Sequence, residues 1–448
     1  MKINKLTTIL ISIIFTITVT ELSAQQSYTL AQAQEYALKN NYNTKNARID
    51  IDIAKKKVWE TTSIGLPQIN GKVAYQNIFK VPVMNFATPY LITNSDPLQM
   101  KLGYTEYPIE LGVKDNWTYT ASASQLIFNG SYFVGLKTSK TFKNFSQQSL
   151  TKSETDIKES VANAYYLILT LEENKRLLDS SITSMERTLY EMSEMCKQGF
   201  IENTDTDQMA LNVSNLKNTI LSVDNQLILA YQLIRYQMGM KVTEVIVLTD
   251  KLDDVINQIK AEELLSATFD LNNNINYQLL TTQEKLTQLN YKYEISKSLP
   301  TIAAFYQHQE LANTPSFNFS PPDVLGISID IPLFSSGGRA ARISQSKMAL
   351  EKISNTKQQV AEGLQMEALQ AKSDLQVAFD KYNNEKNNLM LSKRIYEKTL
   401  TKYKEGVSSS MDLTQANMQY LTAQSNYYQS VMKLLGAKTK MEKILTKN

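Results

Sequence analysis

The sequence is poor in the residues that most often carry chemistry, with one cysteine (Cys196) and one histidine (His308) in 448 positions. A disulfide within the chain is impossible, and a metal centre or a Cys-His catalytic pair has too few partners to draw on. Glycine and proline are also scarce, at 14 and 10 residues, so no linker separates independent cores and one extended architecture is expected. Neither sign of charge dominates: the formal net charge is +3 with Lys, Glu and Asp interspersed, which leaves no footprint for nucleic acid or lipid headgroups. A phosphate-cradling Gly-Lys-Ser/Thr loop is missing too, so the chain shows no energy source of its own, and no cofactor is expected.

A long apolar run occurs at the very start. Lys2 and Lys5 precede the stretch Ile9–Val19, and Leu-Ser-Ala follows before Gln25, which reads as a secretory signal peptide over 1–24 cut after Ala24. No Cys follows the cut, so lipidation there is not expected.

What the chain does have is helical periodicity. A 4-3-4-3 spacing selects Ile157, Val161, Ala164, Ile168, Leu171, Lys175, Leu178, Ile182, Met185, Leu189, Met192 and Cys196, apolar at every position but one. After a short break it resumes at Met209, Val213, Leu216, Ile220, Val223, Leu227, Ala230 and Ile234. Such sustained heptads predict a coiled-coil hairpin with its tip at about 199–205. Adding 207 to each number gives a weaker seam in the same register, from Leu364 to Tyr403 and from Ala416 to Met441, with a second tip at about 406–412. Gly199 falls on Gly406, Asp205 on Asp412 and Gln208 on Gln415, so the chain is an internal duplication.

Upstream of each hairpin the order is helix, Leu-Pro, two extended stretches. The first pair is expected at about 70–80 and 115–128, the second at about 301–311 and 323–334. Trp117, Tyr119, Ala121 and Ala123 alternate with Thr118, Thr120, Ser122 and Ser124, and Leu325, Ile327 and Ile329 alternate with Gly326, Ser328 and Asp330. Ten-residue strands with one apolar and one polar face have the length and pattern of an outer-membrane barrel, with a soluble half-buried hairpin as the lesser alternative. Ile302–Leu311 alternates poorly. Between the first two strands, residues 80–115 carry Pro82, Pro89, Pro97 and Pro108, which exclude a helix or a central strand and predict a long surface loop. The resulting plan is a first repeat over 25–239, an equatorial joining segment over 240–260 and a second repeat over 261–448. Val242–Leu248 reads as a short strand and Ala261–Asp270 as a short helix.

The stretches LPQI (66–69) and LPTI (299–302), LIFNGS (126–131) and PLFSSGGR (332–339), and the breaks GFIENTD (199–205) and GVSSSMD (406–412) resemble, in this order, the TolC family of outer-membrane efflux proteins. The resemblance covers essentially the whole mature chain. It implies a mainly α fold: antiparallel coiled-coil hairpins form a trimeric α-barrel with a long periplasmic extension, and four β-strands per chain contribute to a shared twelve-stranded transmembrane β-barrel. It further implies a non-enzymatic exit duct in the outer membrane for small molecules or proteins, as in tripartite efflux or type I secretion. Its partners would be outer-membrane lipid, a periplasmic membrane-fusion adaptor and an inner-membrane RND or ABC transporter. The adaptor-docking tips would be Gly199, Phe200, Gly406, Val407 and Ser408, and the periplasmic entrance would be lined by Tyr403 and Asp412 with Thr204, Asp205 and Asp207. Ser408 stands where the family has an Arg and Gln415 where some members add an Asp, which weakens the expectation of an Arg-centred lock and of a double carboxylate ring. On residue type alone Asp412 reads equally as a helix N-cap after Ser408-Ser409-Ser410. The rival reading of the whole chain is a periplasmic coiled-coil scaffold, adaptor-like, with the strands in a soluble head. An enzyme would have to use His308, which reads better as a solvated strand residue beside a turn.

Overall fold

A computed structural model describes residues 26–93, 100–315, 318 and 320–445. The expected signal peptide, 1–24, lies outside the described residues. In chain order the elements are β1 (Gln26–Tyr28), α1 (Leu30–Asn40), α2 (Tyr42–Ser63), β2 (Gln68–Asn77), β3 (Val83–Thr93), β4 (Met100–Glu110), β5 (Asp115–Asn129), α3 (Gly130–Lys197) and α4 (Asn203–Met238). There follow β6 (Ile246–Leu248), α5 (Leu252–Asn257), α6 (Ala261–Ser266), α7 (Ile275–Ser296), β7 (Thr301–Leu311), β8 (Asp323–Asp330), α8 (Gly338–Lys404) and α9 (Ser410–Leu445). Among the described residues, those up to Asp50, 147–279 and those from 358 onward form one compact unit, and those within 51–146 and 280–357 a second.

The first unit is helical, and the heptad seams are its core. Val161, Ile168, Met185 and Met192 of α3 are buried against Met209, Val213, Leu216, Val223 and Ile234 of α4. Ala371, Leu375 and Tyr382 of α8 are buried with Leu413, Leu434 and Met441 of α9. Each fully buried Leu, Ile or Met side chain contributes roughly 1.5–3 kcal/mol of transfer free energy, which is why a seam repeated over ten turns holds two polar-backed helices together. Helix α9 also buries Tyr428, Val431 and Leu435, and its Asn417 and Gln424 bond to Met185 and Asn174 of α3. The joining segment packs on the same core: β1 pairs in parallel with β6, and the Tyr165 hydroxyl donates to the Tyr28 carbonyl. A full capping box at Thr29 and Gln32 starts α1.

The second unit holds a four-stranded antiparallel sheet in the order β2-β5-β7-β8. The register gathers Ile69, Val73 and Tyr75, Trp117 and Tyr119, Tyr306, and Leu325, Ile327 and Ile329 on one face, much of it exposed, with Ile69 and Leu325 each at 81%. Gln68, Asn70 and Lys72, Thr118, Thr120 and Ser122, Gln307 and Gln309, and Ser328 and Asp330 share the other. The poor alternation of β7 has a local cause. Phe305 sits on the polar face opposite Gly326, where a Cβ would collide with its ring, so the aromatic fills the space that the glycine leaves. β8 stops at Asp330, not at Phe334 as the alternation suggested, because Pro332 has no N–H to donate and its carbonyl is taken by the Arg339 guanidinium at 2.7 Å.

The expected loop at 80–115 is largely a two-stranded antiparallel ribbon, β3 with β4, in one continuous register from Val83↔Glu110 to Thr93↔Met100. In a two-stranded ribbon both strands are edges, so proline is tolerated wherever its nitrogen faces outward. No described helix is long and apolar enough to cross a membrane, which says nothing of a barrel.

Candidate functional site

Both hairpin tips end their ascending helix in the same way. Gly199 and Gly406 take left-handed φ values of 77° and 73°. In the first tip the N–H of Phe200 donates to Met195 O at 3.0 Å and that of Gly199 to Cys196 O at 2.9 Å. In the second, Val407 donates to Lys402 O at 2.8 Å and Gly406 to Tyr403 O at 3.0 Å. This paired bonding is the Schellman motif, and it needs a left-handed residue after the helix. Nothing lies within 4 Å of a Cβ built on either glycine, so the glycines serve backbone conformation rather than close packing. The next residue at each tip is apolar and projects into solvent: Phe200 is 77% exposed and Val407 73%.

The descending helices start differently. In the second tip the Ser409 hydroxyl accepts from the Asp412 N–H at 3.1 Å, while the Asp412 carboxylate accepts from the Ser409 N–H at 3.0 Å. The same carboxylate accepts from the hydroxyls of Ser409, at 2.7 Å, and Ser408, at 3.2 Å. Ser409 is thus the cap and Asp412 its reciprocal partner one turn in, a correction to the reading of Asp412 as the cap itself. These bonds, the Ser409 hydroxyl first, hold the exposed carboxyl below its usual range. In the first tip Glu202 occupies the cap position without a side-chain cap bond, and Thr204 donates to its carboxylate at 3.3 Å.

The structure brings Asp205, Ser410 and Tyr403 together. Ser410 donates its hydroxyl to Asp205, joining the two tips. Tyr403 is buried, its hydroxyl has no hydrogen-bond partner among the described residues, and burial, then the Asp205 charge, pushes its pKa up. Asp207 is exposed and Ser408 is half-buried.

Sequence reasoning missed the contacts behind the tips. Asn212 of α4 donates to Thr414 of α9 at 3.4 Å, Asn417 to the Met185 sulfur at 3.4 Å, and Gln424 to Asn174 of α3 at 3.3 Å. A cleft of about 410 Å³ lies over this row, lined in part by Asn174, Asn212, Asn215, Asn417 and Gln424. Buried amides at helical spacing beside an apolar seam were the available signal.

Residues 271–445 match the family described as outer membrane efflux protein. The comparison with curated proteins gives no match. Among solved structures the chain is similar to the outer membrane protein VceC of Vibrio cholerae, with TM-score 0.71 and 13% identity over 93% of this chain and 95% of that one. It is likewise similar to the CmeC outer membrane channel of Campylobacter jejuni, with TM-score 0.72 and 14% identity over 93% and 85%. For the open state of the MtrE outer membrane channel of Neisseria gonorrhoeae the figures are 0.72 and 14% over 93% and 88%. At such identities the likeness is one of fold.

Proposed function

We propose that this chain, an outer membrane efflux protein by its family match and a TolC-type channel by fold, works as a homotrimer that closes a twelve-stranded pore in the outer membrane and forms the exit duct of a tripartite system. The observation that carries the reading is the four-stranded sheet. It has one aliphatic and aromatic face, one polar face, and two edges, β2 and β8, that pair with no other strand among the described residues. Lipid does not tolerate open edges, and three copies joined β2 to β8 leave none. The helical unit supports the same assembly, because α4 and α8 leave Leu221, Leu229, Tyr236, Met366, Leu369 and Val377 exposed for neighbouring copies to cover.

In this reading a periplasmic adaptor docks on the tips through Phe200 and Val407, held out by Gly199 and Gly406 and flanked by Ser408. Tyr403, Asp205 and Asp412 close the periplasmic entrance, with Thr204 and Asp207 beside them. An inner-membrane transporter of the RND or ABC class supplies the energy, and the duct carries small molecules or proteins without transforming them. Threefold symmetry would set three Asp412 carboxylates around one axis, where they concentrate cations.

Purified protein in planar bilayers tests both levels. A trimer that conducts, with cation selectivity reduced in Asp412→Asn, is expected. A water-soluble monomer obtained without detergent would overturn the duct, whereas conduction with unchanged selectivity in the variant would leave Asp412 as a capping residue only.

A further inference from the structure

Both of the longest helices leave the sheet with basic residues and no acids. The chain has no acidic residue between Asp115 and Glu154, where α3 begins and places Lys137, Lys140 and Lys143, and none between Asp330 and Glu351, where α8 begins and places Arg339, Arg342 and Lys347. Lys137 and Lys140 are exposed, and among the described residues neither has a carboxylate partner. The helices that end at the sheet carry acids among their basic residues: on α2 Lys55 pairs with Asp52 and Lys57 with Glu60, and after α7 Lys297 pairs with Glu294. Side chains lean towards the N-terminus of their helix, so the lysines of α3 lean back to the sheet, while those of α2 and α7 lean away from it.

The sheet fixes the direction in which Lys137 and Lys140 face. Phe128 stands opposite Ile302, and Ile302 opposite Ile329, on the aliphatic and aromatic face. The Phe133 ring lies 6.1 Å from the Phe128 ring and is 54% exposed. Four and seven residues further on, Lys137 and Lys140 share its side of α3, so they continue that face beyond the ends of the strands. Within the strands the charged residues of the same face are Asp115, Glu310 and Asp323, with His308, all towards the opposite end. Charges that are interspersed along the chain are therefore sorted along this unit.

We propose that Lys137 and Lys140 bind the headgroups of anionic glycerophospholipids in the periplasmic leaflet of the outer membrane. The proposal rests on the outer-membrane reading above. A lipid surface is the occupant that the residues favour, because the row continues the face that a closed barrel turns to lipid, and cations without a carboxylate partner complement phosphates. Lys137 lies ~10 Å and Lys140 ~15 Å along α3 from Gly130. The headgroup layer of one leaflet is roughly 5–8 Å deep, and the backward lean and long stems of the lysines close the difference.

The test exposes detergent-purified full-length protein to equal amounts of phosphatidylglycerol and phosphatidylcholine with the same acyl chains, and counts bound lipid by native mass spectrometry. The parent should retain phosphatidylglycerol in preference. Lys137→Gln with Lys140→Gln should lower that preference about fivefold for each lysine removed, Lys137→Arg with Lys140→Arg should keep it, and Lys398→Gln with Lys402→Gln, towards the tip of α8, should leave it unchanged. Equal retention of the two lipids by the parent overturns the proposal. A preference that survives in the Lys137→Gln, Lys140→Gln protein overturns it by placing the headgroups elsewhere, and a shift in ion selectivity of that protein in planar bilayers would then put the two lysines on the pore side. Failure of the parent to insert into phosphatidylcholine vesicles at all would fall on the proposed function instead.

Discussion

The two helical hairpins share a register but not a packing solution. Five residues separate the helices at each tip, and α4 and α9 both run for 36 residues. In the first hairpin, side chains of middling size meet from both sides, such as Ile168, Leu178 and Met185 against Val213, Leu216 and Val223. In the second, small residues of α8 (Ala368, Ala371, Ala378) alternate with large ones, and tyrosines fill the difference. Tyr396 stacks on Tyr420 at 5.7 Å and 6°, and Tyr382 lies 5.9 Å from Tyr427. Helix α9 also buries Thr414, Asn417, Gln424, Ser430 and Thr439, whereas α4 buries no polar residue. The contrast shows what each helix answers to: α4 buries a purely apolar face, while α9 buries an apolar seam, a second apolar face through Tyr428, Val431 and Leu435, and amides and hydroxyls that bond to the first hairpin.

The sharpest way to break the comparison is to exchange the two packing rules. Ile168→Ala in the first hairpin should cost ~2–5 kcal/mol through the cavity it opens. Ala371→Leu in the second should cost about 1–3 kcal/mol through overpacking. Urea unfolding of the purified protein followed by helical circular dichroism reads both, and a neutral Ala371→Leu would show that the Ala-Tyr seam is loosely packed. Next come the tips, where Gly406→Val places a β-branched residue at φ 73°, a strain of about 1–3 kcal/mol. Efflux should fall while trimer and membrane insertion persist, and Gly199→Val should act alike if both tips dock the adaptor. Cross-linking to the adaptor is the readout, and unchanged cross-linking in both variants would remove the tips as docking points.

A smaller effect separates the two starts of the descending helices. Ser409→Ala removes a cap and should cost ~1 kcal/mol, where Glu202→Ala, with no cap bond to lose, should cost little. The Asp412 carboxyl is depressed in the folded chain, so the stability it adds is present above the ordinary carboxylate range and is lost as pH falls through its lowered folded value. Acid titration of unfolding should therefore be shallower in Asp412→Asn than in the parent. The smallest change is expected from Gln424→Leu. This side chain is buried with its Oε1 unpartnered, so an apolar replacement should alter stability by less than about 1 kcal/mol. A large loss would mean that the amide row is a cooperative network.

Much of this plan is legible in the residues. Heptads from Ile157 and from Leu364 mark the seams because a 3.5-residue period leaves its trace in every turn, and Gly199 and Gly406 mark the tips because left-handed backbone has few other tenants. Contacts such as Asp205 with Ser410, or Gln424 with Asn174, join residues more than 200 positions apart and leave no local period to read. The ribbon was hidden for a different reason. Pro89 and Pro108 argue against strands in general, and only the hydrogen-bond phase shows that both stand where no donor is needed.

That phase has an evolutionary consequence. An antiparallel ribbon lengthens or shortens at its turn, so residues gained or lost between Thr93 and Met100 leave the ladder from Val83↔Glu110 down to Gln68↔Ser124 undisturbed. The far end of the ribbon is thereby uncoupled from the sheet, and its length can change without altering one pairing of the β2–β5 ladder.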